Sequence, residues 1–247
     1  MLTKTIRRCL GLTSIFIKEQ VKEPTAFFWT ILSPTALFYL LSYSKGYSIP
    51  FSADYTKSTS WFYAYVSSSV AFFGFAFYII GRRESGFIRS FIYKSDARTV
   101  FFLGHFLAYS IISVIYCLTF YLLTRPAFGP LLAGEALDIV VRFYVCFLLF
   151  CIPGLLLTLL PVTFQNANTC ISIASFFMLL GGIYGSSSES NIASLIRRWN
   201  PLAVANDLIA GGVMSTPNKL SLVVLLFFAS SFIAVKFMRI NPVWSRY

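Results

Sequence analysis

The stretch VFFLGHFLAYSIISVIYCLTFYLL, residues 100–123, contains no Asp, Glu, Lys or Arg. A helix rises 1.5 Å per residue, so about 20 apolar residues are enough to cross a hydrocarbon layer of roughly 30 Å. Five further stretches approach or meet the same test, at 26–43, 61–80, 139–160, 169–184 and 220–237. The sequence therefore predicts an all-α integral membrane protein with six transmembrane helices.

The composition agrees with a membrane protein. Hydrophobic residues make up 57% of the 247 residues and charged residues only 12%, against about 25% charged residues in soluble domains. The length leaves no room for a second folded domain, so we expect a single permease domain over 1–247. The five cysteines are scattered without CxxC pairs, which predicts small buried residues and no metal site.

The basic residues predict the orientation. If the N-terminus is cytoplasmic, 13 of the 20 Lys and Arg residues fall in the inner segments, as the positive-inside rule requires. Both termini should then be cytoplasmic. The net charge of +11 does not indicate nucleic acid, because the basic residues cluster beside apolar stretches instead of forming one polar face.

Three local features refine this picture. Within residues 1–25, Ile6, Leu10, Ile17 and Val21 recur at helical spacing, and basic residues surround the other side, which predicts a helix on the inner membrane surface. The alternative is a basic extension that only fixes orientation. Prolines at positions 34 and 153 should kink the first and fourth spans. The fifth span is short, so it should lead into irregular or re-entrant backbone over 185–219.

The polar segment 81–99, between the second and third spans, is the most informative. An amphipathic helix here could press an apolar edge onto a partner protein while its charges fix the register. The alternative is a positively charged loop that only sets topology. Phe87 and Phe91 fall at helical spacing on the apolar edge, and the charged face includes Arg82, Arg83, Glu84, Arg89 and Asp96.

The order of these motifs resembles the ABC-2 type permeases, the membrane subunits of ABC exporters. Arg83, Glu84 and Gly86 match an Arg-Glu-x-Gly core between the second and third spans, and Gly104 matches a glycine opening the third span. The segment Lys22-Glu23-Pro24 before the first span is similar to the family's entry. NPLAVANDLIAGG, residues 200–212, is similar to the stretch before the last span, which forms re-entrant helices in that family.

The resemblance implies that this chain works with a separate ATPase subunit. In that family the segment that matches 81–99 is a coupling helix that docks on an ATPase subunit. The resemblance therefore implies that the contact residues in this chain are Arg82, Arg83, Glu84, Gly86, Phe87, Arg89, Phe91 and Asp96. This chain has no G-x-x-x-x-G-K-[ST] phosphate loop, so it should bind no cofactor itself, and ATP and Mg²⁺ should sit on two copies of a separate ATPase. A second copy of this chain and membrane lipid complete the expected partners, in the plasma (inner) membrane of a bacterium.

Candidate substrate-pathway residues are aromatic or charged side chains within the spans: Phe73, Phe77, Arg142, Phe176 and Phe177. Aromatic residues also fill helix interfaces, which is the simpler interpretation. The simpler interpretation of Arg142, which lies near a span end, is that it extends to the membrane interface or pairs with Asp138 or Glu135. His105, the only histidine, is more simply a packing residue than a catalyst. The sequence has no grouping of Ser, His and an acid of the kind that an enzyme would need.

These features favour the membrane subunit of an ATP-driven exporter that moves an amphipathic solute, such as a peptide, antibiotic or drug-like molecule. Two alternatives remain open. One is export of a lipid-linked glycan, and the other is a non-transporting membrane immunity or sensor partner. The predicted spans have no Asp or Glu near their middle, which argues against transport driven by ion coupling.

Overall fold

The computed structural model describes residues 2–44, 49–92, 94–187, 191–212, 217–239 and 241–243. These residues form helices and connecting segments without a strand, which confirms the all-α prediction for this part of the chain. The helices are α1 Leu2–Val21, α2 at 24–44, α3 Tyr55–Glu84, α4 Phe87–Phe91, α5 Ser95–Thr124, α6 Ala133–Leu159, α7 Phe164–Ser187, α8 Asn191–Trp199, α9 Pro201–Gly211 and α10 Pro217–Phe237.

Four helical stretches are long and apolar enough to cross a membrane. They are Tyr55–Glu84, Asp96–Ala127, Ala133–Leu159 and Asn218–Phe237. They coincide with the predicted second, third, fourth and sixth spans, so the chain is a helical membrane protein. The predicted first and fifth spans are helical, as α2 and α7, and their crossing stays a prediction.

Two helices depart from regular α-helical geometry. A π-helical turn over Phe28–Leu32 ends just before Pro34, whose nitrogen has no hydrogen to donate to the preceding turn. A second π-helical turn, Val70–Ala76, lies in the middle of α3. Pro153 lies inside α6, which continues to Leu159. The sequence analysis did not predict the turn in α3.

Helix α3 is the centre of the bundle, and most of its apolar window is buried. Near its middle it lies against α6, where a Cβ at Gly154 would come within 3.0 Å of the Ala76 Cβ. Nearer its start, the Ser60 hydroxyl donates to Asn206 of α9 over 2.6 Å. The last turns of α3 contact α1, α4 and the C-terminal segment, and this region is called the α4 end below.

Helix α1 lies along α5 through Cys9, Thr13 and Phe16, which are buried. The hydroxyl of Thr13 donates to the carbonyl oxygen of Gly104 over 3.1 Å. Three residues of the predicted apolar face, Ile6, Leu10 and Val21, are instead exposed on the flank beside this contact. That flank is available to lipid, and the placement of 1–25 on the membrane surface stays a prediction.

Helices α8 and α9 occupy the predicted outer segment 185–219 and meet at Asn200. The Asn200 side chain accepts from the Leu202 amide over 3.0 Å and donates to the Met178 carbonyl oxygen over 2.7 Å. The predicted helix pair is therefore present. Its re-entrance into the membrane stays a prediction, and residues 188–190 and 213–216 of the segment lie outside the described residues.

Candidate functional site

A buried arginine ties the end of α3 to the end of α6. The side chain of Arg83 is only 2% exposed. Its guanidinium donates to the carbonyl oxygens of Thr158 and Leu160 over 2.9 and 3.0 Å, and also to that of Val162. The last carbonyl groups of a helix have no partner within the helix. Arg83 therefore satisfies the end of α6 and fixes α3 against it.

Glu84 extends this arrangement to the C-terminal segment. Its carboxylate accepts from Arg83 Nε over 2.9 Å and from the Val243 amide over 3.2 and 3.3 Å. Arg239 donates from Nε to the Leu159 carbonyl oxygen over 2.8 Å. We call Arg83, Glu84 and these partners the α4-end clamp. Both side chains point inward, because the carbonyl groups at the end of α6 attract Arg83 and Arg83 in turn holds Glu84.

The short helix α4 directly follows Arg83 and Glu84 of this clamp in the chain. Gly86 begins it with φ of 77°, a left-handed conformation that favours glycine. Phe87 is half-buried beneath the guanidinium of Arg82, and Ile88 is buried. Phe91 is 69% exposed, and Arg89 is exposed beside it.

Among the eight predicted coupling residues, Arg89, Phe91 and Asp96 are thus exposed at the α4 end. Asp96 lies in the first turn of α5, where a negative charge interacts favourably with the helix dipole. Arg89 and Phe91 are exposed on α4 and Asp96 at the start of α5, whereas the side chains of Arg83 and Glu84 are only 2% and 9% exposed. Ile88, which holds α4 against the bundle, was not singled out by the sequence analysis.

A second polar link joins α1 to α3. Arg82 forms an ion pair with Glu19 of α1, and the Tyr78 hydroxyl donates to the same carboxylate. Burial raises the pKa of Glu19, but the bonds from Arg82 and Tyr78 outweigh it, so that the pKa lies below its ordinary value. Glu19 is therefore ionised at neutral pH and holds α1 beside the α4 end.

His105 lies inside a cage of aromatic rings. It is fully buried, stacks on Phe75 and Tyr78, and its Nε2 is 2.8 Å from the carbonyl oxygen of Phe75. Phe75 belongs to the π-helical turn of α3. His105 is therefore packed among these rings, and its Nε2 contact joins α5 to that turn.

Two adjoining cavities form a groove along α3. One, of about 290 Å³, lies beside the middle of α3, and the other, of about 350 Å³, lies toward the α4 end. They share Gln20, Phe73 and Tyr109, and we call the pair the α3 groove. Phe73 and Phe77, two predicted substrate-pathway residues, line it.

The groove depends on a close approach at the π-helical turn. A Cβ added to Gly74 would lie 2.4 Å from a ring carbon of Tyr109, so only glycine lets this ring pack against α3. The Tyr109 hydroxyl then donates to Gln20 over 2.8 Å. The sequence analysis missed both Gly74 and Gln20, although a glycine inside an apolar span is a signal of close helix packing.

The other substrate-pathway candidates lie away from the α3 groove. Arg142 forms an ion pair with Asp138 and donates to the Ile209 carbonyl oxygen over 2.6 Å, which confirms the simpler interpretation of this residue as paired. Phe176 and Phe177 are exposed on the surface of α7. None of the three lines either cavity of the groove.

Among the described residues, no three His, Cys, Asp or Glu side chains come together as a metal site would require. All five cysteines are free thiols. Four are buried as predicted, but Cys170 is exposed on α7, so the prediction was wrong there. Apolar side chains in a membrane helix can face lipid as well as protein, which removes the usual link between apolar character and burial.

Comparison with known proteins gives one clear relative. Protein McbE of Escherichia coli is 29% identical to this chain over 241 residues, which cover 96% of this chain and 98% of that protein. The similarity therefore extends over nearly the whole of both chains. No protein-family model matches this chain.

Proposed function

We propose that this chain is the transmembrane subunit of an ATP-driven ABC exporter. It works with a separate ATPase subunit and moves an amphipathic solute, of the peptide, antibiotic or drug-like class, out of the cell. The observation that carries the proposal is α4, a short helix with an exposed aromatic residue that a buried clamp fixes between two membrane-crossing helices. Such an apolar edge with charges around it is typical of a docking helix.

The contact with the ATPase is made by the exposed surface of α4 and the start of α5. Phe91 is the apolar anchor, and Arg89 and Asp96 set the register. Arg83 and Glu84 act beneath them as positioning residues, since their polar groups are engaged inside the protein. In this proposal α4 contacts the ATPase, and Arg83 and Glu84 support α4 without making the contact themselves.

Motion at α4 reaches the bundle by two rigid connections. Arg83 joins the end of α3 to α6, and Arg82 joins it to α1 through Glu19. An ATPase that closes on ATP and Mg²⁺ would push on α4 and thereby move α3, the central helix, relative to its neighbours. This is a shift of packed helices of the kind that switches transporters between states.

The charge distribution supports the cytoplasmic side for the α4 end. The N-terminal helix and residues 241–243 contact this end through Glu19 and Glu84. The described basic residues of α1, of 81–99 and of 236–239 are thus carried by segments that meet at this end of the bundle, and the positive-inside rule would assign that end to the cytoplasm. In a bacterial plasma membrane it would face the ATPase and its ATP.

The test compares copurification of the ATPase with matched variants. Phe91→Ala combined with Arg89→Glu should lower the amount of ATPase recovered in mild detergent by about tenfold, because an interface anchor contributes on the order of 1–2 kcal/mol. The control is Phe228→Ala, which removes an equally exposed ring from α10. Equal recovery with both variants would contradict the docking role of α4.

A further inference from the structure

Hydroxyl groups in the α3 groove lack partners. The hydroxyls of Thr30, Tyr65 and Ser69 line its cavity beside the middle of α3 and donate to no group in the described part of the chain. Ser69 itself is only 9% exposed. The Tyr116 hydroxyl accepts a long bond from Gln20, of 3.5 Å, and its own hydrogen is not used.

Neighbouring hydroxyls on the same helix behave differently. Thr59 donates to the Tyr55 carbonyl oxygen and Ser67 to that of Ala64, each over 2.8 Å. This return to the helix backbone is the usual way in which Ser and Thr satisfy themselves in membrane helices. Ser69 does not take it, so its hydroxyl is directed to the groove.

Unpaired hydroxyls are costly at this depth. Ser69 and Tyr65 lie near the middle of a helix long enough to cross the membrane, where lipid offers no hydrogen bonds. A polar group without a partner is unfavourable there, so an occupant with hydrogen-bonding groups is favoured. An acyl chain could fill the space but could not satisfy these hydroxyls.

The shape of the groove restricts its occupant further. Along α3 the residues that line it run from Tyr65 to Ser85, so the groove follows this helix over several helical turns. Rings of Trp29, Phe73 and Phe77 supply apolar walls, and Glu23 and Ser85 line the cavity toward the α4 end. An elongated molecule with an apolar body and polar groups along its length fits this pattern.

We propose that the α3 groove binds an elongated amphipathic molecule that carries amide groups along an apolar body. It enters from the α4 end, lays its apolar groups on Phe73 and Trp29, and hydrogen-bonds to Ser69, Tyr116 and their neighbours. The identification of this molecule as the exported cargo rests on the proposed function. The binding itself requires no ATPase.

The test uses the full chain in lipid nanodiscs and energy transfer from tryptophan. The probe is the dipeptide amide dansyl-Phe-Ser-NH₂, and the comparison is dansyl undecylamide, which has the apolar body but only the dansyl group as a polar end. Trp29 lines the groove, whereas Trp199 is exposed on α8. We expect saturable transfer to the dipeptide probe that Trp29→Phe lowers more than Trp199→Phe does.

The affinities of the two probes then distinguish hydrogen bonding in the groove from apolar filling of the groove. Ser69→Ala and Tyr116→Phe should each lower the affinity for the dipeptide probe by about fivefold, as the loss of one hydrogen bond predicts. Ser67→Ala, which removes a hydroxyl already bonded within α3, should leave it unchanged. Neither substitution should weaken the undecylamide probe.

Two results would overturn the proposal. One is the lack of saturable transfer from Trp29. The other is equal binding of both probes without dependence on Ser69 or Tyr116, which would make the groove a lipid site. Because the assay contains no ATPase, its failure is distinct from failure of ATPase copurification.

Discussion

Replacing Arg83 with methionine tests the α4-end clamp. Methionine has a similar length and no charge, so the substitution removes the guanidinium with little change in volume. Four hydrogen bonds are lost at once, three to carbonyl oxygens at and beyond the end of α6 and one to Glu84. The three carbonyl groups lose Arg83 as a donor, and the Glu84 carboxylate loses its ion pair with Arg83 while it keeps the Val243 amide.

The size of the effect follows from burial. Arg83 is 2% and Glu84 9% exposed in their side chains, so water cannot fully replace the lost bonds. Removing one partner of a buried ion pair costs about 3–5 kcal/mol. In a protein of this size 1 kcal/mol corresponds to roughly 2–4 °C in Tm, so Arg83→Met should lower Tm by about 6–20 °C. Arg83→Lys keeps the positive charge but loses the planar guanidinium, so its Tm should lie between those of the parent and Arg83→Met.

The assay is thermal unfolding of the purified protein in one detergent, followed by loss of the monodisperse peak in size-exclusion chromatography. Arg89→Met is the matched control, because it removes the same group from an exposed site on α4. Its Tm should stay within about 2 °C of the parent. If Arg83→Met also stayed within that range, the clamp would not hold the α4 end together.

Three further predictions concern the helix contacts and one carboxylate. Gly74→Ala should destabilise the protein by about 1–3 kcal/mol, because the new Cβ would lie 2.4 Å from Tyr109. Gly134→Ala, in open space, is the control in the same unfolding assay, and equal Tm values would refute the close contact. Gly104→Leu should displace α1 and speed its cleavage in limited proteolysis, since even a Cβ there meets α1 at 3.0 Å; unchanged cleavage would contradict this packing. Glu19 has a lowered pKa, so its stabilising effect is present above its ordinary pKa, about 4.3, and disappears as pH falls through the folded value. Stability of the parent should therefore fall more steeply below about pH 4.3 than that of Glu19→Gln, and parallel pH profiles would count against the ion pair.

The helical layout could be predicted from the sequence because it depends on local properties. Runs such as 100–123 are apolar over the length of a membrane crossing, and the structure has helices there. Gly86 and Gly104 were singled out by the resemblance to ABC-2 type permeases, and each has a local physical reason. Gly86 adopts a left-handed φ, and Gly104 lets α1 approach α5 closely.

The inward orientation of Arg83 and Glu84 could not be predicted in the same way. The partners of Arg83 in α6 and beyond lie 75 to 79 residues away in the sequence, and the Val243 amide lies 159 residues from Glu84. A charged pair between two spans has the same local pattern whether it faces a partner protein or the end of another helix. Only the packing of α3 on α6 decides between them.

The face of α1 shows a second limit. Ile6, Leu10 and Val21 follow a helical period as well as the buried Cys9 and Phe16 do, and the two sets are adjacent on the helix. In a membrane an apolar face can contact lipid or protein with similar benefit, so periodicity does not identify the buried side. Only Phe73 and Phe77 of the α3 groove were singled out in advance, since the π-helical turn that shapes the groove has no distinct sequence signal.

The central claim is that this chain works as the membrane half of an ATP-driven exporter. Native mass spectrometry of the complex purified from its own membrane in mild detergent tests it most directly. The account predicts an assembly of two copies of this chain with two copies of an ATPase that carries a phosphate-binding loop. Recovery of this chain alone or only with copies of itself would contradict the account and favour a non-transporting membrane partner.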